Sequence, residues 1–169
     1  MPISLHDACI PPLIHGLRVL AALLDKAAAH AGAGAEALVA ARLAPDMLPL
    51  SGQVQRASDT AKFAAARLTA TPAPAFADDE ASLDDLQARI AKTIVFLEGV
   101  PEAGFEGAET RSITFGPASA PRQMDGTDYL LRFVLPNFHF HLTTAYGILR
   151  HAGVPVGKRD YLDPAPPAA

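Results

Sequence analysis

Three of the six histidines in this 169-residue chain, His139, His141 and His151, fall within one stretch, PNFHFHLTTAYGILRHAG. A neutral imidazole is a metal ligand and, with an ordinary pKa near 6.5, a proton carrier at neutral pH. The stretch could therefore hold a metal centre or an acid–base site, and spacing decides which of its rings act together. On an α-helix successive residues turn by about 100°. His139 and His141 then point about 160° apart and cannot grip one ion while the helix holds. His141 shares its side with Asn137, one turn earlier, and His151 lies on the same stripe near the helix end.

Helical phase divides the segment into faces. Leu130, Val134, Asn137, His141, Thr144, Ile148 and His151 form one stripe, with Leu131, Leu135, Phe138, Leu142, Ala145 and Leu149 beside it. Together these are the expected core-facing side, and the side carrying His139 is more polar. Two readings of His141 follow. In one it is a core histidine whose ring nitrogens bond Asn137 and Thr144, because an unpaired buried polar group costs about 1–3 kcal/mol. In the other it is a metal ligand or an acid–base residue, the catalytic candidate of the chain. His139 reads as a surface residue. His30 sits near a helix C-terminus, where the dipole favours a cation. His15 or His6 becomes a candidate ligand only if the first helix brings it beside His141.

Other chemistry is sparse. The chain carries no phosphate-binding loop, no dinucleotide glycine pattern, no H-E-x-x-H and no G-x-S-x-G. The E-x-x-H pairs of di-iron bundles are missing too. Asp46 and Gln53, at and within the second long helix, are polar candidates for the same pocket, whereas Asp59 is expected to pair with Lys62 on the surface. Cys9 is the single cysteine. It cannot form an internal disulfide, which fits a reducing, cytoplasmic setting, and its neighbours do not make it a reactive thiol.

The elements that must position these residues are helical. Half of the residues are apolar, alanine dominates them, and there is no tryptophan; this composition suits closely packed helices. Ser4 is placed to cap a first helix reaching about Ala31, disturbed at Pro11–Pro12 and ended by Gly32 and Gly34. A short helix is expected over Glu36–Arg42, and a second long one over about Leu48–Leu68 with a small inner face of Leu50, Val54, Ala57, Ala61, Ala64 and Leu68. Residues 71–82 read as a linker. Ser82 and Asp85 make a capping box for a third helix, to about Glu98, that buries Leu83, Leu86, Ile90, Ile94 and Leu97. SITF at 112–115 and RQM at 122–124 form a small β-hairpin or an irregular excursion. Thr127 is the expected cap of the fourth helix, which is bent by Pro136 and ends at about His151. The tail from Pro155 reads as extended. The predicted architecture is an all-α four-helix bundle with the insertion between helices three and four, in one domain over 1–163, followed by a disordered tail over 164–169.

A formal net charge of -4, with scattered Lys and Arg, argues against nucleic-acid binding. The leucine-rich stretch from Leu13 to Leu24 follows Asp7 and no basic residue, and is interrupted by His15 and Arg18. It reads as an amphipathic helix rather than a signal peptide, and no segment is expected to span a membrane.

LAPDMLPL at 43–50, QVQRASDTAK at 53–62, QARIAKTI at 87–94, DYLLRF at 128–133, PNFHFHLTTAYGILRHAGV at 136–154 and GKRDYL at 157–162 together resemble a bacterial family of unknown function. That family lies in the DinB/YfiT-like superfamily of proposed metalloenzymes. The resemblance covers nearly the whole chain in order, and implies a helical bundle that often dimerises. It also implies a three-histidine metal site, one ligand from the second helix and an H-x-x-x-H pair from the last. Here that pair corresponds to Asn137 and His141, and the second helix offers only Asp46 and Gln53. A divalent metal such as Zn or Ni would thus find one clear ligand, His141, where a zinc site wants at least three good donors. The expected function is binding of a small molecule or partner, as a homodimer, through a polar pocket of Asn137, His141, Gln53, Asp46 and His151 without a complete metal triad. The alternative is a metal-dependent hydrolase or transferase with a degenerate histidine site.

Overall fold

The structure, a computed structural model, describes residues 3–163, so the tail expected over 164–169 lies outside the described residues. It is mostly helical, with four long helices: α1 (Leu5–Ala31), α3 (Leu50–Thr69), α4 (Leu83–Glu98) and α6 (Leu135–His151). Between them lie the short α2 (Ala35–Ala40), the single turn α5 (Gly126–Asp128) and a hairpin of β1 (Ser112–Phe115) and β2 (Arg122–Asp125). The hairpin therefore lies between α4 and α6, not between the third and fourth helices, because α2 and α5 add to the count.

Local signals account for the helix ends. The Ser4 side chain accepts from the Asp7 amide at 3.0 Å, and α1 stops at Gly32 with φ 48. Pro11 and Pro12 do not break α1. Asp7 and Pro11 are both exposed, so the carbonyl that Pro11 leaves without a donor is on the solvent side. Ser82 and Asp85 complete a reciprocal capping box at the start of α4.

Helix α3 packs on α6 and α4, and α1 packs on α4 and α6; α1 and α3 also touch across the middle. That diagonal contact is open to these two helices because the α3 face of Ala57, Ala61 and Ala64 is fully buried and small. Leu50, Val54 and Leu68 complete the same face, and the buried residues form one continuous cluster. Ile94 is only partly buried, at the margin of the α4 face.

The last helix departs most from its expected form. Its cap is Asp125, whose carboxylate accepts from the Asp128 amide at 2.7 Å, while the Thr127 hydroxyl turns to the Glu109 carbonyl. Tyr129–Val134 is a π-helical turn, and Pro136 follows in the first turn of α6. A proline leaves the carbonyl four residues earlier without a donor and crowds it. The wider turn accommodates this just upstream of Pro136, where a bend was expected. It also changes the helical phase upstream, which explains why Leu131, assigned to the core side, is 52% exposed. The tail is not extended throughout: α7 (Lys158–Leu162) forms, with the Asp160 carboxylate accepting from the Gly157 amide at 2.8 Å.

Contrary to the sequence expectation, α1 is long and apolar enough, by length and composition, to cross a membrane. Half of that apolar window is buried against the protein's own helices. Leu13, Leu17, Leu20 and Leu24 are among the residues it buries, at helical spacing.

Candidate functional site

His141 meets α3, not its own helix. Its Nδ1 lies 2.8 Å from Gln53 Oε1, and Gln53 Nε2 donates to the Leu48 carbonyl at 3.0 Å. That second bond fixes the amide orientation, so an oxygen faces the ring and Nδ1 must carry the proton. Nε2 then keeps its lone pair. Among the described residues it has no hydrogen-bond partner, and it is not fully enclosed, so it is open to solvent. Burial, with Arg56 nearby, lowers the His141 pKa to about 4, and the ring is neutral at pH 7.

Asn137 Nδ2 donates to Thr60 Oγ1 at 2.8 Å, and Thr60 Oγ1 donates to the Arg56 carbonyl at 2.7 Å. Thr144 bonds the Phe140 carbonyl of its own helix. The expected satisfaction of His141 by Asn137 and Thr144 is thus replaced by Gln53, because α3 packs against this face. Asp46 is exposed on the α2–α3 loop, and His151 is exposed at the end of α6, about 15 Å along the axis at 1.5 Å per residue. Neither side chain bonds to His141.

The other histidines lie elsewhere. His139 is 3.4 Å from the Tyr161 hydroxyl, and burial, with His15 nearby, lowers its pKa. It therefore faces the α1 and α7 side, away from Gln53. His6 bonds Asp7 and packs edge-on against Phe105. Cys9 is fully buried and its pKa is pushed up to about 12, so it is no nucleophile at neutral pH.

A metal needs several donors at one point. Asn137 and Gln53 spend their amides on Thr60 and Leu48, leaving one imidazole nitrogen. Among the described residues no group of three or more His, Cys, Asp or Glu is placed to hold an ion. The residues present do not fit the three-histidine centre implied by the resemblance.

Beside Asn137 lies a cavity of about 250 Å³ between α3, the hairpin and the π turn. Arg56, Asp59, Thr60, Phe63 and Arg67 line it from α3, Tyr129 and Phe133 from the π turn, and Asn137 from α6. The α3 residues recur at helical spacing and were legible as a stripe. This polar stripe runs beside the apolar face, and spacing does not say which of the two meets a cavity. Phe115 joins them from the hairpin, which no local pattern could place.

Asp59 and Lys62 do pair, at 3.1 Å, but not on the surface: Lys62 is 2% exposed. Asp59 also meets Arg89 at 2.8 Å, and Arg89 is itself 2% exposed. The same Arg89 reaches Glu80 at 2.8 Å and Asp78 at 3.0 Å, which ties the 71–82 segment to α3 and α4.

The family model described as a domain of unknown function, DUF1993, matches residues 5–162. A crystal structure of a DinB family member protein from Shewanella denitrificans is 41% identical, covering 98% of this chain and 94% of that one, with a TM-score of 0.89. No curated protein matches.

Proposed function

This chain belongs to the DUF1993 family, and on that premise we propose that it binds a small molecule, without a metal, at the seam between α3 and α6. In this reading the four long helices act as a bundle whose polar seam is the site. Its working groups are His141, Asn137 and Thr60, with Gln53 as the residue that positions His141. The observation that carries the proposal is the locked tautomer: Gln53 Oε1 accepts the hydrogen bond from Nδ1–H, which leaves Nε2 as an accessible acceptor. A pKa of about 4 makes this ring a weak base, and efficient general bases have values near the working pH. It therefore accepts a ligand's hydrogen bond better than it abstracts a proton. The alternative, a metal-dependent hydrolase or transferase, lacks the donors described above. Asp46 and His151 drop out of the pocket as here proposed.

The test is a fragment screen by amide and imidazole NMR on the intact protein. The bound compounds are expected to shift Asn137, His141 and Gln53 together, and His141→Ala should abolish those shifts. His141 should appear as the Nδ1-protonated tautomer and titrate near pH 4. Because the fold lowers its pKa, the unfolded chain binds the proton first, so stability should fall as pH drops from about 6.5 toward about 4. The proposal fails if no compound maps to the seam, or if a divalent metal binds stoichiometrically through Nε2.

The homodimer is part of the proposal. Phe140 is 56% exposed and shares a face of α6 with Gly147, against which the 44% exposed Leu43 rests. Exposed apolar side chains on one face suit a second copy. Sedimentation should give a dimer that Phe140→Asp dissociates, and a monomer at every concentration would remove this part. A cytoplasmic location is likewise proposed, supported by the lone, disulfide-free Cys9. Neither nucleic acid nor membrane belongs to the proposed partners, given the acidic charge and the buried stripe of α1.

A further inference from the structure

We infer that the cavity between α3, the hairpin and the π turn takes a small aromatic carboxylate, with Arg67 as the cation that meets the acid group. The inference goes beyond the small-molecule reading above: this cavity shares Asn137 and Thr60 with the seam, while His141 and Gln53 do not line it.

Of the two arginines that line the cavity, Arg56 and Arg67, charge accounting singles out Arg67. Arg56 pairs with Asp59 and Asp78, Lys62 with Asp59, and Arg89 with Asp59, Asp78 and Glu80. Asp59 also borders the cavity, but three cations already surround its carboxylate. Arg67 borders the same cavity and, among the described residues, has no carboxylate partner. Its Nη1 donates to the Tyr129 hydroxyl at 2.9 Å, which leaves the remaining donors of the fork for a ligand. The phenol keeps its own proton, since burial raises its pKa against the pull of Arg67. That proton is a second donor for a ligand oxygen.

The walls favour a ring. Phe115 lies with its centroid 4.9 Å from Tyr129 and 4.5 Å from Phe133, the Arg67 guanidinium sits 5.0 Å over Phe63, and that of Arg122 lies 5.0 Å over Phe115 and 5.5 Å over Phe133, each on one face of its ring. A flat, apolar ligand body stacks on such faces at the spacing these rings already keep. The cavity volume suits one ring with a short acid group, being smaller than the ~300–1,000 Å³ of sites for drug-sized ligands. The amide and hydroxyl of Asn137 and Thr60 close the far end. The π turn matters here because Tyr129 and Phe133 lie within it and so owe their direction to its wider pitch.

Benzoate and its neutral counterpart benzyl alcohol are the probes, followed by amide and Arg side-chain NMR of the intact protein. Benzoate should shift Arg67 Nε–H together with Tyr129, Phe133 and Asn137. Benzyl alcohol should bind about tenfold more weakly, and Arg67→Gln should weaken benzoate by a similar factor while leaving benzyl alcohol unchanged. Arg67→Lys keeps the charge without the fork and should recover part of the loss, which separates a binding defect from a folding one. Equal binding of acid and alcohol, or no effect of Arg67→Gln, overturns the carboxylate assignment while leaving a small-molecule site at the seam. Absence of benzoate shifts at Arg67, Tyr129 and Phe133 overturns this inference by itself, whereas the seam reading falls only if no fragment shifts His141.

Discussion

Arg89→Met should destabilise the protein by about 3–5 kcal/mol, the cost of stripping one partner from a buried ion pair. Arg89 donates from Nη2 to Asp59, from Nη1 to Glu80 and the Ala77 carbonyl, and from Nε to the Ser58 hydroxyl. Ser58 in turn shares a hydrogen bond of 2.8 Å with Thr93, both fully buried. Methionine fills much of the volume but supplies none of these donors. Asp59 and Glu80 would then face each other across an apolar side chain, with Lys62 and Arg56 left to compensate. Arg89→Lys should recover little, because an ammonium cannot span carboxylates on α3 and in the 71–82 segment at once. Urea unfolding checks this: a midpoint shift worth less than about 1 kcal/mol would mean that the remaining cations suffice.

The same network sets an acid limit. Burial pushes the Glu80 carboxyl up, but the hydrogen bonds from Arg89 and Gln55 outweigh it and hold the group below its usual range. A depressed carboxylate contributes stability at neutral pH that is lost as pH falls below the ordinary glutamate value of about 4.3 toward the lower folded one. This loss follows that of His141, which begins at a higher pH, and in Arg89→Met it should shrink.

Gly126→Ala should cost about 3 kcal/mol, the upper part of the range for overpacking. A Cβ at Gly126 would collide with the Ala108 carbonyl oxygen and sit 3.1 Å from Leu68 Cδ2. The first obstacle is backbone and cannot rotate aside. The gain in helix propensity, about 1 kcal/mol for alanine over glycine, opposes the clash without matching it. Because Thr127 N–H donates to the Glu109 carbonyl at 3.1 Å, displacing residue 126 also moves the segment that leads into the hairpin. Fragment binding at the cavity should therefore fall along with the unfolding midpoint. Gly34→Ala is the control: nothing lies within 4 Å of its Cβ, and stability should hold or rise by about 0.5 kcal/mol. Equal midpoints for the two variants would refute the close-approach account.

The helices, their caps at Ser4 and Ser82, the small face of α3 and the hairpin strands were legible in the order of the residues, because each depends on neighbours within a few positions. The separation of His139 from His141 was legible for the same reason. What the sequence could not settle was anything that depends on phase or distance along the chain. The π turn shifts the register by one residue, and no periodic template contains that shift, so Leu131 was placed inside and Tyr129 and Phe133 were not seen as cavity walls. Gln53 and His141 meet across 88 residues, and Arg89 meets Asp59 across 30. The polar partner of a buried ring, the depth of an ion pair and the lack of a carboxylate beside Arg67 are properties of packed surfaces, and they exist only once the helices have met.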